Sequence, residues 1–414
     1  MRIGIIHWGF PPRAGGVEAH LATLCPELVR LGHQVFVLTE TMAGLADEQY
    51  TCGVKVIRRN ELSPANLDKC IEEGKNIYAK VRPVLENFII KNRIDVIHAH
   101  NAHMDFFDFS RALTDVCSQN RIPCIIILHN HIFIDRNPLT TRKIITECPW
   151  AKIVSVSKFI EEEIMKSVPR IDKSKLQIIM HGIDLDKFSP LTCEEKERIK
   201  QKYNFTGRNI ILHPARIIPW KGIVEAIRAM PKIAERFPRS LMVLTGRIKP
   251  IHKDQDEISH YNNLVDRTIE ELNLKNHVYM GKYTYKDIPS LTKIADVVIY
   301  TTIKDEPFGL CPVEAMACGV PAIVTASGGL RESVVNGQTG YIIEKDEKRL
   351  SVQLAQRAIE LFSYPNLRRK MGEAGRERAK DHFTLSRMAE DFIKISEEAI
   401  LPEEELAIPE EVVK

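Results

Sequence analysis

A chain of 414 residues is longer than one hydrophobic core ordinarily organises, so at least two domains are expected. Hydrophobic residues make up 44% and charged residues 27%, the balance of a globular protein, which excludes a disordered chain outside the ends. The 58 basic and 55 acidic residues leave a net charge of +3 with no basic block, so a nucleic-acid partner is not expected, and no run of about 18 apolar residues offers a bilayer span.

The nine cysteines form no C-x-x-C pair and read as buried free thiols of a reducing compartment. The run Ile3 to His7 is too short for a signal peptide, so a cytoplasmic protein is expected. Peripheral contact with the inner membrane face is left open by Lys69, Lys75, Lys80, Arg82, Lys91 and Arg93. Acidic residues are interleaved with them, which favours a plain solvated face.

Short apolar runs alternate with amphipathic segments from the start: Ile3 to His7, Val35 to Thr39, Val54 to Ile57, Ile94 to His98, Ile125 to His129, Ile153 to Val156 and Leu176 to Met180. Continuous apolar runs of this length between helical patterns predict strands of a parallel sheet covered on both faces. Val17, Leu21, Leu24, Leu28 and Leu31 form one helical stripe, which Pro26 is expected to kink or split. The alternation restarts at Ile210 to His213 and continues through Leu241 to Thr245, His277 to Met280, Val297 to Thr301 and Pro321 to Thr325.

The reading is therefore α/β with two doubly wound, Rossmann-like domains facing a central cleft. The boundaries are drawn at 1–187 for an N-terminal domain and 188–382 for a C-terminal domain. A helix over 383–400 returns to the first domain, and an acidic tail over 401–414 is loose.

Three stretches carry chemistry. The loop Pro11 to Glu18 places Gly15 and Gly16 where a helix begins, which suits a phosphate at backbone N–H groups and equally suits a tight turn without a ligand. The segment Pro214 to Gly222 sets Arg216 and Lys221 between a strand and a helix, where a guanidinium fork and an ammonium can hold a diphosphate or simply be solvated. Asp305 to Pro321 is the most informative: Glu306 lies in a Pro/Gly loop, Phe308, Gly309 and Leu310 lead into a helix start, and Glu314 follows within it. Two carboxylates there can accept hydrogen bonds from sugar hydroxyls, although an acid near a helix start is also explained by the dipole.

With these residues in view, the chain resembles glycosyltransferase family 4, whose retaining GT-B members carry two glutamates separated by seven residues, here Glu306 and Glu314. The resemblance extends to Gly15-Gly16, to Asp95 to His100, to His181-Gly182-Ile183-Asp184, and to Arg216 and Lys221. It implies that Glu306 contacts the transferred sugar, Glu314 the nucleotide ribose, Arg216 and Lys221 the diphosphate, and His129 the donor sugar near the reacting carbon. His129 as a packed strand-end histidine is the other reading. The family's second glycine after Gly246 is missing, which leaves the base open.

No cofactor is expected beyond the nucleotide diphosphate sugar, a substrate for which UDP is the favoured nucleotide. The acceptor is expected to be a lipid-linked glycan or polysaccharide, or a small aminocyclitol-like molecule. No metal is expected: Asp184-x-Asp186 and Asp254-x-Asp256 read as polar loops, and His98, His100, His103, His129 and His131 lack zinc-like spacing. Competing readings are a GT-B nucleotide-sugar epimerase, a sugar phosphorylase, and a binding protein that has kept the site.

Overall fold

The computed structural model describes residues 1–13, 15–102, 106–131, 138–246, 255–281, 283–284 and 286–401. His103, Asp254, residues 247–250 of the segment after Gly246, and the tail beyond Leu401 lie outside them. The chain separates into two compact units, Met1–Gly182 joined by the helix Leu385–Ile400, and Ile183–Thr384. The division falls at Gly182, ahead of the boundary drawn after residue 187.

Among the described residues the first unit has strands β1 (Arg2–Ile6), β2 (Gln34–Thr39), β3 (Glu48–Thr51), β4 (Val54–Arg58), β5 (Val96–His100), β6 (Cys124–Leu128), β7 (Lys152–Ser155) and β8 (Leu176–Ile178). They form one sheet in the order β3-β4-β2-β1-β5-β6-β7-β8, parallel except for the hairpin β3–β4. Central strands such as Cys124–Leu128 are buried at every position, as an all-apolar run with helices on both faces requires. β3 was not expected: its Glu-Gln-Tyr-Thr sequence is polar and mostly exposed, and it pairs only as an edge through the turn at Cys52 and Gly53. The fifth strand also lies two residues later than the run from Ile94 suggested, which brings His100 to its end.

The helix Gly16–Arg30 runs unbroken through Pro26, so the helix is not split there. Proline removes one helical N–H, and burial of Leu21, Leu24, Cys25 and Leu28 on one stripe outweighs that loss. The thiols are all free, but Cys52 and Cys193 are exposed, which corrects the reading of uniformly buried cysteines. Of the basic residues after Pro64, Lys69 and Lys75 pair with Glu73, and Lys91 with Glu48.

The second unit has β9 (Asn209–Arg216), β10 (Ser240–Gly246), β11 (Val278–Met280), β12 (Val297–Tyr300), β13 (Ala322–Thr325) and β14 (Gly340–Ile343), all parallel, in the order β11-β10-β9-β12-β13-β14. The last strand was not expected. The helix Ile223–Arg236 packs on this sheet with Ile223, Val224, Ile227, Met230 and Ile233 buried. Each such side chain is worth about 1.5–3 kcal/mol of burial, and Ile227→Ala would cost about 2–5 kcal/mol. Ahead of the unit's first strand, the helix Cys193–Lys202 is closed at its start by a capping box of Thr192 and Glu195.

In each sheet the strand order reverses at one place, between β1 and β5 in the first and between β9 and β12 in the second. Open α/β sheets bind ligands beyond the strand C-terminal ends at such a reversal. The candidate residues are found there.

Candidate active site

In the second unit, β9 runs into Arg216 and a one-turn helix Pro219–Lys221, while β12 ends at Tyr300 and leads to Glu306. Lys221 Nζ donates to Glu306 Oε2 at 2.5 Å and to the Tyr300 hydroxyl at 2.6 Å, and Tyr300 in turn donates to Glu306 Oε2 at 3.1 Å. The ammonium also lies 4.7 Å from the centre of the Tyr300 ring. Burial, and then the Glu306 carboxylate, hold the tyrosine hydroxyl in its protonated form, well above its ordinary pKa. One ammonium proton and Glu306 Oε1 are left over from this triangle, one donor and one acceptor for a ligand. Arg216 is exposed, and its side chain makes no hydrogen bond or ion pair among the described residues.

The loops around this triangle are tied to one another. Ile303 N and Thr302 Oγ1 both donate to Trp220 O, at 2.8 and 3.0 Å, fastening the loop after β12 to the loop after β9. Gly329 N donates to Glu306 O at 2.8 Å and Ser327 Oγ to Lys304 O at 2.8 Å, fastening it to the loop after β13. Glu306 therefore stands on a loop braced from both neighbouring strands, which fixes its carboxylate at little conformational cost when a ligand arrives.

Gly309 has φ +83 and precedes the helix Leu310–Ala317, and a Cβ there would lie 2.3 Å from Leu330 Cδ2. Only glycine fits this turn. The Gly309 and Leu310 N–H groups have no acceptor among the described residues, so they remain donors at a helix start. Phe308 is 2% exposed and packs edge-on to Phe383 at 5.9 Å, so its backbone, not its ring, faces any ligand. Glu314 lies inside the helix, buried, and burial pushes its carboxyl up to about 7, with Lys187 opposing weakly.

The first unit differs. His129 follows β6 and is buried, its N–H donating to Asn101 Oδ1 at 2.8 Å. Its Nε2 lies 2.8 Å from His100 Nδ1, and its Nδ1 lies 3.5 Å from His181 Nε2. His181 Nδ1 is 2.9 Å from Nδ1 of His20 on the helix Gly16–Arg30. His98 reaches Ser396 Oγ at 2.8 Å, and Phe392 of the same final helix packs beside His98 and His20. Burial first, then neighbouring imidazoles, hold His20, His100 and His129 well below the ordinary histidine range, while burial holds His98 at about 3 and burial, then Arg387, holds His181 at about 3.

Gly15 is extended, and its need for glycine is one of space: a Cβ would sit 2.0 Å from Oε2 of Glu18. The carboxylate of Glu18 thus occupies the helix start where a phosphate was envisaged, whereas Gly16 faces open space. Asp184 Oδ1 accepts from the Asp186 and Lys187 N–H groups at 2.9 Å, a local turn that uses this aspartate structurally. His131 pairs with Glu163 at 3.0 Å. The exclusion of a metal rested on spacing along the chain, yet His20, His100 and His129, from three separate elements, place one ring nitrogen each within 4.8 Å of the others.

Sequence reasoning missed Tyr300 and His20. Tyr300 is the polar end of an apolar strand beside the reversal, a position that could have singled it out. His20 lies on the helical stripe side of Gly16–Arg30 with no spacing to mark it.

Comparison with known proteins follows the same division of the chain. The model for Glycosyltransferase Family 4 matches residues 14–187, and that for Glycosyl transferases group 1 matches residues 195–378. Spore coat protein SA of Bacillus subtilis (strain 168) is 27% identical over 390 residues, 93% of this chain and 95% of that protein. A protein of Methanocaldococcus jannaschii named as the uncharacterized glycosyltransferase MJ1607 is 28% identical over 354 residues, 81% of this chain and 84% of its own. Among solved structures, a glycosyltransferase of Rickettsia africae ESF-5 superposes with a TM-score of 0.75 at 22% identity, over 96% of this chain and 99% of that one. Anabaena Alr3699/HepE, crystallised with UDP and glucose, superposes with a TM-score of 0.74 at 18% identity, over 96% and 100%. These structures share the GT-B fold with this chain.

Proposed function

We propose that this chain, which belongs to the GT-B glycosyltransferases of the family 4 and group 1 type, transfers a sugar with retention of configuration from a nucleotide diphosphate donor, without a metal in the transfer step. The observation that carries this reading is the Lys221–Glu306–Tyr300 triangle at the reversal of the second sheet. It offers a cation for a leaving diphosphate and a carboxylate for a sugar hydroxyl within one hydrogen-bonded unit.

In the proposed reaction the acceptor oxygen bonds to the anomeric carbon on the face from which the β-phosphate oxygen departs. That departing oxygen takes the acceptor's proton, so the products are the glycosylated acceptor and a nucleoside diphosphate. Negative charge grows on the β-phosphate, and Arg216, the third Lys221 proton and the free N–H groups of Gly309 and Leu310 oppose it. Groups fixed in advance give such stabilisation without reorganising during the reaction. Glu314 accepts from the ribose hydroxyls, and His129 serves the donor sugar. UDP-sugars are the favoured donors, in keeping with Anabaena Alr3699/HepE having been crystallised with UDP. The acceptor is a glycan or lipid-linked glycan, or a small polyol, bound by the first unit.

Nucleoside diphosphate release across UDP-, GDP- and ADP-sugars, then across acceptors with the best donor, tests the reading. Acceptor-dependent release that persists in excess EDTA, with the product's anomeric configuration unchanged by proton NMR, is expected. Full-rate conversion of donor alone would instead favour an epimerase, and dependence on inorganic phosphate a phosphorylase.

A further inference from the structure

Beyond the C-terminal ends of β1 and β5, where the first sheet reverses its order, the first unit has a recess of about 390 Å³. Its walls are mostly apolar, with Leu67, Phe106 and Phe109 among them, and Trp8, His100 and Asn101 bring polar groups. Among the described residues no lysine, arginine, aspartate or glutamate lines it. An ionised group entering this recess would give up its hydration without a counter-charge. An uncharged apolar group instead gains about 25 cal/mol for each Å² it buries.

Two hydrogen-bond donors of the lining residues are unused. Asn101 has φ +51, a left-handed backbone that asparagine adopts at lower cost than most residues. Its N–H donates to Ile127 O at 2.9 Å, and its side chain meets the His129 N–H at 2.8 Å. A backbone N–H can only donate, so the atom facing it is Oδ1, and Nδ2 is the end of the amide left over. Nδ2 has no partner among the described residues. Trp8 Nε1, which can donate but not accept, is buried and likewise without a partner among them. The Arg13 guanidinium, 4.2 Å from the centre of the Trp8 ring, holds that ring in place.

We propose that this recess is the acceptor subsite, and that it takes an uncharged acceptor bearing an aryl or alkyl group, with an oxygen beside that group accepting from Asn101 Nδ2. This rests on the transfer reaction proposed above and narrows its acceptor, since a phosphate or carboxylate at that position has no counter-charge to meet. The position suits the role. His100, in the wall, is 2.8 Å through Nδ1 from Nε2 of His129, the histidine to which that reaction gives the donor sugar. Asn101 joins the two from the other side, lining the recess and fixing the His129 backbone with one amide.

The test reads binding apart from turnover, on the full-length protein labelled with fluorotryptophan, its Trp8 signal assigned by fluorine NMR of Trp8→Phe. Phenyl and octyl glucoside are expected to shift that signal and to bind about tenfold or more tightly than methyl glucoside, and phenyl phosphate to leave it unmoved. Whichever of the two glucosides binds better tells aryl from alkyl. Asn101→Asp keeps an oxygen for the His129 N–H and tolerates the left-handed backbone, but has no N–H to donate. It should weaken binding of the better glucoside by about tenfold, and Phe106→Ala should do so through lost apolar contact. Nucleoside diphosphate affinity should stay within twofold in both, and cooperative thermal unfolding confirms that each is folded. A wild-type Trp8 signal that neither apolar glucoside moves, or phenyl phosphate binding as tightly as phenyl glucoside, overturns the proposal without any variant. Glucoside binding unchanged in both Asn101→Asp and Phe106→Ala overturns it equally. Nucleoside diphosphate release from donors, measured separately, reports on the transfer reading, so the two fail independently.

Discussion

The two sheets reverse their strand order in the same way, yet the residues beyond the reversals have opposite characters. In the first unit they are histidines that burial keeps uncharged, joined nitrogen to nitrogen. In the second they are an ammonium, a carboxylate and a guanidinium, partly exposed, with a tyrosine between the first two. The scaffold fixes where a site lies, and the loops fix what charge it can meet. The neutral end of the first unit suits hydroxyls and proton sharing, the charged end of the second a diphosphate. Even the helix starts follow this division, since Glu18 fills the one after β1 while the N–H groups at Gly309 and Leu310 stay free.

If that contrast is real, the largest losses come from the second unit's cations. Lys221→Ala or Arg216→Ala should lower kcat by about 10² or more, the scale of losing one preorganised donor to developing charge. Arg216→Lys should restore little, because an ammonium cannot reproduce a bidentate fork. The double variant should lose less than the product of the single losses if both groups serve one phosphate, which steady-state rates on the four proteins would show. Glu306→Gln should likewise lower turnover yet leave nucleoside diphosphate affinity nearly unchanged.

A smaller effect, roughly tenfold, is expected at Tyr300→Phe, which removes one hydrogen bond to each of two charged groups. It should appear in kcat more than in KM, since the tyrosine holds Lys221 and Glu306 rather than the substrate. Unchanged kcat would mean that the pair holds its geometry alone.

Glu314 gives a pH test. With its carboxyl at about 7, lowering the pH through 7 protonates it and removes an acceptor for the ribose diol. Donor affinity in the wild type should therefore fall below pH 7, and Glu314→Gln should be weaker throughout and lack this dependence. Stability has the opposite sign. The folded value exceeds the ordinary 4.5, so stabilisation present below 4.5 is lost as pH rises to 7. Glu314→Gln should raise the melting midpoint at pH 8, and the gain should shrink toward pH 4.5.

The histidines of the first unit reverse this once more. Their folded values lie below the ordinary 6.5, so stability is complete above 6.5 and declines as pH falls. The loss is roughly 1 kcal/mol per buried histidine at pH 5.5. Urea titrations at pH 7.5 and 5.5 would measure it.

Much of the fold was legible in the sequence because buried parallel strands must be continuously apolar. Cys124–Leu128 and Val297–Tyr300 announce themselves, whereas Glu48–Thr51 does not, since an exposed edge strand owes its structure to its partner. At Pro26 the helix continues rather than splitting, because the local rule against proline in helices yields to tertiary burial. At the site, Arg216, Lys221 and Glu306 stood out as charges in loops after apolar runs. Tyr300 was hidden inside such a run, and the histidine cluster was invisible because its members, such as His20 and His181, are 161 residues apart. A parallel sheet gathers strand ends from across the chain, so side chains meet there with no trace in local spacing.

The central claim, that the charged end of the second unit holds the leaving nucleotide and the neutral end of the first does not, is tested most directly by calorimetry of the nucleoside diphosphate product. Binding to the wild type would be compared with Arg216→Ala, Lys221→Ala and Glu314→Ala on one side and His129→Ala and His20→Gln on the other, all confirmed as folded. The account predicts affinity lost by about tenfold or more in each of the first three and held within twofold in the last two. Affinity that survives in the first three and collapses in the histidine variants would contradict it.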